Sequence, residues 1–208
     1  GRMGSRPIPA IYHEERKMKL IYIDVETTGL DRKEDDIIQL AGIITANGQQ
    51  EEFNYRIRPR PGVKLSEGAY LAHKKTDEEI QTYPTSSRVF PTFMNMLKKY
   101  VNSYDKTDKF FFVAYNSDFD MDFIRNWFTI NNEDYFNSWF HFPSLDVMQK
   151  AAFHLMGRRP FMKNFKLITV YEELMGKPMV DAHDALADIR ATREILNKII
   201  EEERKKVL

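Results

Sequence analysis

Tyr22-Ile23-Asp24-Val25-Glu26-Thr27-Thr28-Gly29-Leu30 is a hydrophobic run that carries two carboxylates two residues apart and then turns. Side chains alternate faces along a strand, so Asp24 and Glu26 point one way while Ile23 and Val25 pack behind them. At an effective dielectric near 20, like charges ~4 Å apart repel by roughly 4 kcal/mol. Such a pair holds a proton or a cation between its members. The run therefore reads as a metal site on a central strand; the competing reading is a solvent-facing acidic edge, a common fate of Asp-x-Glu patterns.

At 208 residues the chain fits one domain with a full-sized core, or one domain plus tails. Apolar residues make up 42% and charged residues 30%, a globular balance. Lys+Arg and Asp+Glu stand at 31 each, so bulk charge does not grip a polyanion and any nucleic-acid contact must be local. The chain has no cysteine. That excludes disulfides, thiolate zinc sites and cysteine nucleophiles, and it is compatible with the cytoplasmic location expected here. No apolar run approaches the ~20 residues of a membrane span, so no membrane partner is expected. The opening shows no signal-peptide apolar region, and Gly1-Arg2-Met3-Gly4-Ser5 reads as a tag remnant. Neither G-x-G-x-x-G nor G-x-x-x-x-G-K-[ST] occurs, which removes Rossmann and P-loop readings.

Outward from the quoted run, Met18 to Glu26 reads as the first strand and Ile37 to Ala46 as the second. Asn47-Gly48 is a two-residue hairpin signal leading to a third strand, Glu51 to Ile57, in which Phe53, Tyr55 and Ile57 alternate with polar residues. A short helix is expected around Asp77 to Thr82. Ser86 or Ser87 can cap the next, whose stripe is Val89, Phe90, Phe93, Leu97, Tyr100 and Val101, with Pro91 in its first turn. Phe110 to Ala114 is another apolar strand, followed by a helix with Phe119, Phe123, Ile124, Trp127 and Phe128 on one face. Leu145 to Met156 and Phe165 to Leu174 read as helices, the second closed by Gly176 and Pro178. The last helix runs from about Asp184 to Glu203, and Glu201 to Lys206 reads as a fraying, solvated end. The order β-β-β-α-β-α followed by further helices implies an α/β fold, a mixed sheet with helices on both faces.

Two further stretches aim acids inward. In Ala114-Tyr115-Asn116-Ser117-Asp118-Phe119-Asp120-Met121-Asp122-Phe123, Phe119 and Phe123 belong to the core stripe and Asp120 flanks it. Asp118 is placed as a helix cap and Asp122 in solvent. In Asp181-Ala182-His183-Asp184-Ala185-Leu186-Ala187-Asp188, five positions are not one helical face. His183 is therefore expected on the entering loop and Asp188 on the first turns, although a histidine here can also be an ordinary helix-entry residue.

Together, Asp24-Val25-Glu26-Thr27-Thr28-Gly29-Leu30, Ala114-Tyr115-Asn116 with Phe119-Asp120 and Phe123, and His183-Asp184-Ala185-Leu186-Ala187-Asp188 resemble the three motifs of the DEDDh 3′–5′ exonuclease family. That family includes proofreading exonuclease subunits, ribonuclease T and oligoribonuclease. The resemblance spans about Lys19 to Leu196. Ala72-His73-Lys74-Lys75-Thr76 stands where the family often has a His-Gly-Ile-Thr turn, and Ser144-Leu145-Asp146 where an aspartate often opens a helix. Tyr115 departs from the family's usual His, and Lys74-Lys75 from its Gly-Ile; neither supplies a core metal ligand, so altered substrate contacts with retained catalysis are expected.

The resemblance implies a ribonuclease-H-like fold: three antiparallel strands, then parallel ones, flanked by helices. It implies residues 1–17 as tag remnant and polar lead-in, 18–203 as one exonuclease domain and 204–208 as a charged C-terminal end. It makes Asp24, Glu26, Asp120 and Asp188 the metal-binding carboxylates, with Asp24 shared between two ions, and His183 the general base. Oxygen ligands suit Mg²⁺ or Mn²⁺, and two hard cations ~3.5–4 Å apart stabilise attacking and leaving oxygens in phosphodiester hydrolysis. A histidine base implies loss of rate on the acid side. Thr27, Thr28 and Leu30 are assigned to the terminal nucleotide, with His73, Asn116 and Phe119 as further candidates; Phe119 also fits the core, and His73 a plain surface loop. Arg158, Arg159, Lys163 and Lys166 with Phe161 form an acid-free run that could track phosphates or simply be solvated. Arg56, Arg58 and Arg60 are weaker candidates. The implied substrate is a nucleic-acid 3′ end, single-stranded DNA favoured over RNA, released as nucleoside 5′-monophosphates. A polymerase or a second copy is the protein partner considered. The alternatives are a non-catalytic exonuclease-like scaffold subunit and an RNA-trimming exoribonuclease.

Overall fold

Strand β1 (Leu20–Thr27) is the middle of a five-stranded sheet, with the strands in the order β3-β2-β1-β4-β5 in the computed structural model, which describes residues 18–207. The tag remnant and lead-in read in residues 1–17 lie outside the described residues. On one side, β1 pairs antiparallel with β2 (Ile37–Ala46), which pairs antiparallel with β3 (Gln49–Arg56). On the other it pairs parallel with β4 (Phe111–Ala114), and β4 with the two-residue β5 (Leu145–Asp146). Asn47 and Gly48 have φ of 54° and 76°, the left-handed pair that matches a tight hairpin to the twist of its strands.

Helix α1 (Glu67–His73), α2 (Asp77–Gln81) and α3 (Ser86–Tyr100) follow β3, and α4 (Ser117–Ile130) follows β4. Beyond β5 come α5 (Val147–His154), α6 (Leu167–Met175) and α7 (Ala185–Val207). Alternation along β1 divides the core. Ile21, Ile23 and Val25 join the aromatic layer of α3 and α4, built on Phe90, Phe93, Trp127 and Phe128, whereas Tyr22 joins the layer of α5, α6 and α7. Asp24 and Glu26 share the parity of Tyr22 and so stand on the α7 side. Among the described residues no helix is long and apolar enough to cross a membrane.

Several local expectations change. Helix α1 is not foreseen: its cap, Ser66 accepting from Ala69 N–H at 3.1 Å, is present, but exposed Tyr70 and Leu71 leave no apolar stripe. The cap of α3 is Thr85 rather than Ser86 or Ser87, and Pro91 sits in its second turn. Ser86 accepts instead from Trp127 Nε1 at 2.6 Å. The helix expected from Leu145 starts at Val147, because the Asp146 carboxylate ends β5 by accepting from the Met148 and Gln149 amides. Asp118 lies in the first turn of α4 and caps nothing; the cap is Asn116. Asp122 pairs with Arg32. Within the C-terminal run, Glu202 and Glu203 are paired with the fold rather than solvated. Helix α7 runs to Val207, with Glu202 against His154 at 2.8 Å and Glu203 against Lys150 at 2.7 Å.

Gly42 in β2 sits under the Phe53 ring, where a Cβ would strike both that ring and the Tyr22 carbonyl. Overpacking of this kind costs about 3 kcal/mol. Gly42→Ala is therefore expected to lower the melting temperature by ~6–12 °C, read by calorimetry; an unchanged value would show that the β2–β3 pair yields freely.

Candidate active site

The C-terminal end of β1 turns at a register shift between Glu26 and Thr27, a bulge that ends pairing and re-aims the chain. The turn beyond it is tied internally. Thr27 Oγ1 donates to Gly29 O at 2.6 Å, Thr28 Oγ1 donates to Asp35 Oδ1 at 3.0 Å, and the Asp36 amide donates to Thr28 Oγ1 at 3.0 Å. A Cβ on Gly29 would collide with the Asp35 carboxylate, so the motif glycine serves this close approach. Leu30 is thereby pushed out to 85% exposure.

Asp24, Glu26 and Asp188 each offer an oxygen, and the three lie within 4.8 Å of one another. Asp188 arrives on the first turn of α7, which the buried face of Ala185, Ile189, Ile195 and Ile199 docks against the sheet. Its Oδ1 accepts from the His183 amide at 3.1 Å. His183 itself is exposed on the entering loop with φ 71°, at the rim as the five-residue spacing suggests. Asp120 is buried on α4, and its Oδ1 accepts from Val25 N–H at 3.0 Å. It stands beside the three acids rather than within their cluster.

Burial, with repulsion from neighbouring acids, raises the pKa of each of these carboxyls above its ordinary value. Burial raises Glu26 to about 7; Lys75 opposes that rise, and Asp188 and Asp184 add to it. Asp188 rises to about 6, mainly from burial, despite the His183 amide. Asp24 is raised well above its ordinary value by burial and by Asp120, Asp188, Glu26 and Asp184; burial also raises Asp120, against its bond from Val25. A compact set of carboxylate oxygens with little compensating positive charge fits a hard divalent cation such as Mg²⁺ or Mn²⁺.

Beside the acids opens a cavity of about 290 Å³ lined by Glu26, Thr27, Leu30, Ser66, Ala69, His73 and Phe119, among others. His73 is not a surface loop residue. It is 8% exposed at the end of α1, with Nδ1 accepting from Lys75 N–H at 3.2 Å and Nε2 facing Thr27 O at 3.2 Å. That pairing fits a neutral ring protonated on Nε2, and burial lowers its pKa further. Phe119 does both things expected of it: it packs on the core, 4.9 Å from the Phe123 ring, and walls the cavity. Thr28 and Asn116 do not line it. Thr28 is fully buried within its turn, and Asn116 caps α4 with φ 64° and its amide on Asp146.

The basic candidates divide. Arg56 approaches Glu79 and the Tyr83 ring, Arg58 donates to Tyr83 O and Arg60 pairs with Asp36, so these three brace the fold. Arg158 pairs with Glu173 and Arg159 covers the Phe165 ring, while Phe161 is 89% exposed. Tyr115, a departure from the DEDDh pattern, anchors that loop by donating to Phe165 O at 2.7 Å.

The sequence profile of the RNase T exonuclease family matches residues 21–196, from β1 through the α7 stretch that carries Asp188. The chain belongs to that exonuclease family. Its DEDD-type motifs are those quoted above. Two of its relatives are several times longer than this chain. "DNA polymerase III PolC-type" of Thermotoga petrophila is 26% identical over 182 residues, covering 87% of this chain and 12% of the relative. "3'-5' exonuclease DinG" of Bacillus subtilis is 25% identical over 189 residues, 89% of this chain and 18% of the relative. The chain thus spans about an eighth to a fifth of these relatives' length. Among solved structures, E. coli exonuclease I in complex with a dT13 oligonucleotide superposes with a TM-score of 0.71 at 22% identity, over 92% of this chain and 42% of that one. This likeness gives the sheet its class: the ribonuclease-H-like arrangement of exonucleases, three antiparallel strands followed by parallel ones.

Proposed function

We propose that the protein is a metal-dependent 3′–5′ exonuclease that hydrolyses the terminal phosphodiester of single-stranded nucleic acid, DNA in preference to RNA, and releases nucleoside 5′-monophosphates. The observation that carries this is the convergence of Asp24, Glu26 and Asp188 within 4.8 Å beside a cavity of about 290 Å³. A cavity of that size holds one nucleotide, not a duplex. Exonuclease family membership and the relative named "3'-5' exonuclease DinG" support the polarity, and the dT13 complex of the structural neighbour supports a single DNA strand.

Asp24, Glu26 and Asp188, with Asp120 alongside, would hold two divalent cations, Mg²⁺ or Mn²⁺, which supply charge neutralisation on the phosphodiester when bound. His183 at the rim takes the proton of the attacking water. The water oxygen joins phosphorus, the bond from phosphorus to the preceding 3′-oxygen breaks, and that oxygen is protonated as a new 3′-hydroxyl. Leu30 and Phe119 offer apolar surface to the terminal base and sugar. Residues 18–203 act as one catalytic unit, and the PolC-type relatives make a polymerase its candidate partner.

The test is a 5′-labelled oligonucleotide incubated with Mg²⁺ or Mn²⁺. A ladder descending by single nucleotides is expected, faster on DNA than on matched RNA and abolished by chelation. No ladder on either strand would overturn the proposal in favour of a binding module, and a faster RNA ladder would reassign the substrate.

A further inference from the structure

Gln39 stands opposite Glu26 in the β1–β2 register and is only 2% exposed. Facing partners in an antiparallel pair share a side of the sheet, so Gln39 lies on the side of the acids and α7. Its neighbours along the strand, Ile38 and Leu40, are fully buried, and an apolar residue would suit the position on packing grounds alone. The amide instead spends both donors: Nε2 donates to Asn54 Oδ1 on β3 at 3.0 Å and to Asp184 Oδ2 at 3.1 Å. Its Oε1 is buried without a hydrogen-bond partner. Turning the amide over would set that oxygen against the Asp184 carboxylate, so the donor end is fixed toward Asp184.

Asp184 in turn links sheet and helix through one carboxylate. Oδ1 accepts from the Leu186 and Ala187 amides at 3.1 and 3.3 Å, which caps α7, while Oδ2 faces Gln39. The Asp184 carbonyl accepts from the Asp188 amide at 2.9 Å. His183 precedes the cap and Asp188 sits one turn beyond it, joined by their own bond at 3.1 Å. Two further side-chain links from α7 to β3, Arg190 to Glu52 and Arg193 to Gln50, lie further along the helix and are exposed. We propose that Gln39 is a positioning residue: through Asp184 it fixes where His183 and Asp188 stand relative to Asp24 and Glu26. The catalytic consequence rests on the exonuclease reading; the positioning itself does not.

The test compares wild type, Gln39→Leu and the swap Gln39→Glu with Asp184→Asn, which restores a bond between positions 39 and 184 with the charge on the other partner. Backbone amide exchange is the first readout. In Gln39→Leu, the Leu186, Ala187 and Asp188 amides are expected to exchange about tenfold faster while β1 amides are unchanged, and the swap to return them to within about threefold. Turnover should fall about tenfold with KM unchanged, since substrate lies against other residues. Unaltered exchange at these amides, uniform acceleration across the sheet, or a swap that restores nothing would each overturn the proposal. A wild type without nuclease activity would overturn the exonuclease reading instead, and the exchange result would still decide the role of Gln39.

Discussion

Asp24→Asn is expected to cut turnover on a 5′-labelled single strand by about 10³-fold while making the metal-free protein more stable at pH 8. The loss follows from the position of Asp24, whose carboxylate is the one repelled by Asp120, Asp188, Glu26 and Asp184 together. A ligand at the centre of such a cluster is worth several kcal/mol of transition-state charge stabilisation, and each 1.36 kcal/mol is roughly tenfold in rate. The gain in stability has the same origin. An amide carries no charge into the buried site, so the repulsion that a carboxylate must bear at pH 8 disappears. Opposite signs for rate and stability are what a functional site predicts; an Asp24 that merely braced the fold would lose both. Single-turnover rates with Mn²⁺ and a thermal melt in chelator provide the check, and a destabilised Asp24→Asn would sink the metal-site reading.

Much of this was legible because the decisive features are local. Alternation of acids and aliphatics places Asp24 and Glu26 on one face of β1, Asn47-Gly48 closes the first hairpin, and Gly176 ends α6 in the left-handed conformation with φ 66°. The five-residue interval from His183 to Asp188 separates rim from wall because no helical face spans it. What escaped depends on contacts between distant segments. Helix α1 lacks an apolar stripe since Tyr70 and Leu71 are exposed, and the residues that do line the cavity from it are the small Gly68, Ala69 and Ala72 with His73. Thr28 shares a motif with Thr27, yet its hydroxyl is taken by Asp35 and Asp36 from a loop whose path the motif does not encode. Gln39 looks like a stray polar residue in an apolar strand until Asp184, 145 positions away, is brought to it. That Gln39 faces the same side as Glu26 follows from the β1–β2 register, which the spacing within either strand does not encode.

With chelator present, the melting temperature is expected to fall by about 5–10 °C between pH 5 and pH 8, and Mg²⁺ or Mn²⁺ is expected to restore it at pH 8 while adding little at pH 5. Glu26 titrates near 7 in the folded protein against 4.5 ordinarily, and Asp188 near 6 against 3.8. Both are raised, so the folded state binds these protons more tightly than the unfolded chain does. Their contribution is complete below the ordinary carboxylate range and is lost as pH rises through 6 and 7. Glu26 alone corresponds to a loss on the order of 2–3 kcal/mol. Glu51 and Glu52, held low by hydrogen bonds from Tyr100 and Arg190, act in the opposite sense, but only below their ordinary range, and both stand close to solvent. Those two effects occupy separate windows; His73, whose pKa burial lowers, acts within this one and gains stability as pH rises toward its ordinary value, so the net fall between pH 5 and 8 is expected because the two raised acids outweigh one histidine. A divalent cation replaces the protons at high pH and must displace them at low pH, which is why its stabilisation grows with pH. A melting temperature that is flat or rises over this range in chelator would mean that the acids are already paired with protein cations, and that no cation is needed to hold the site together.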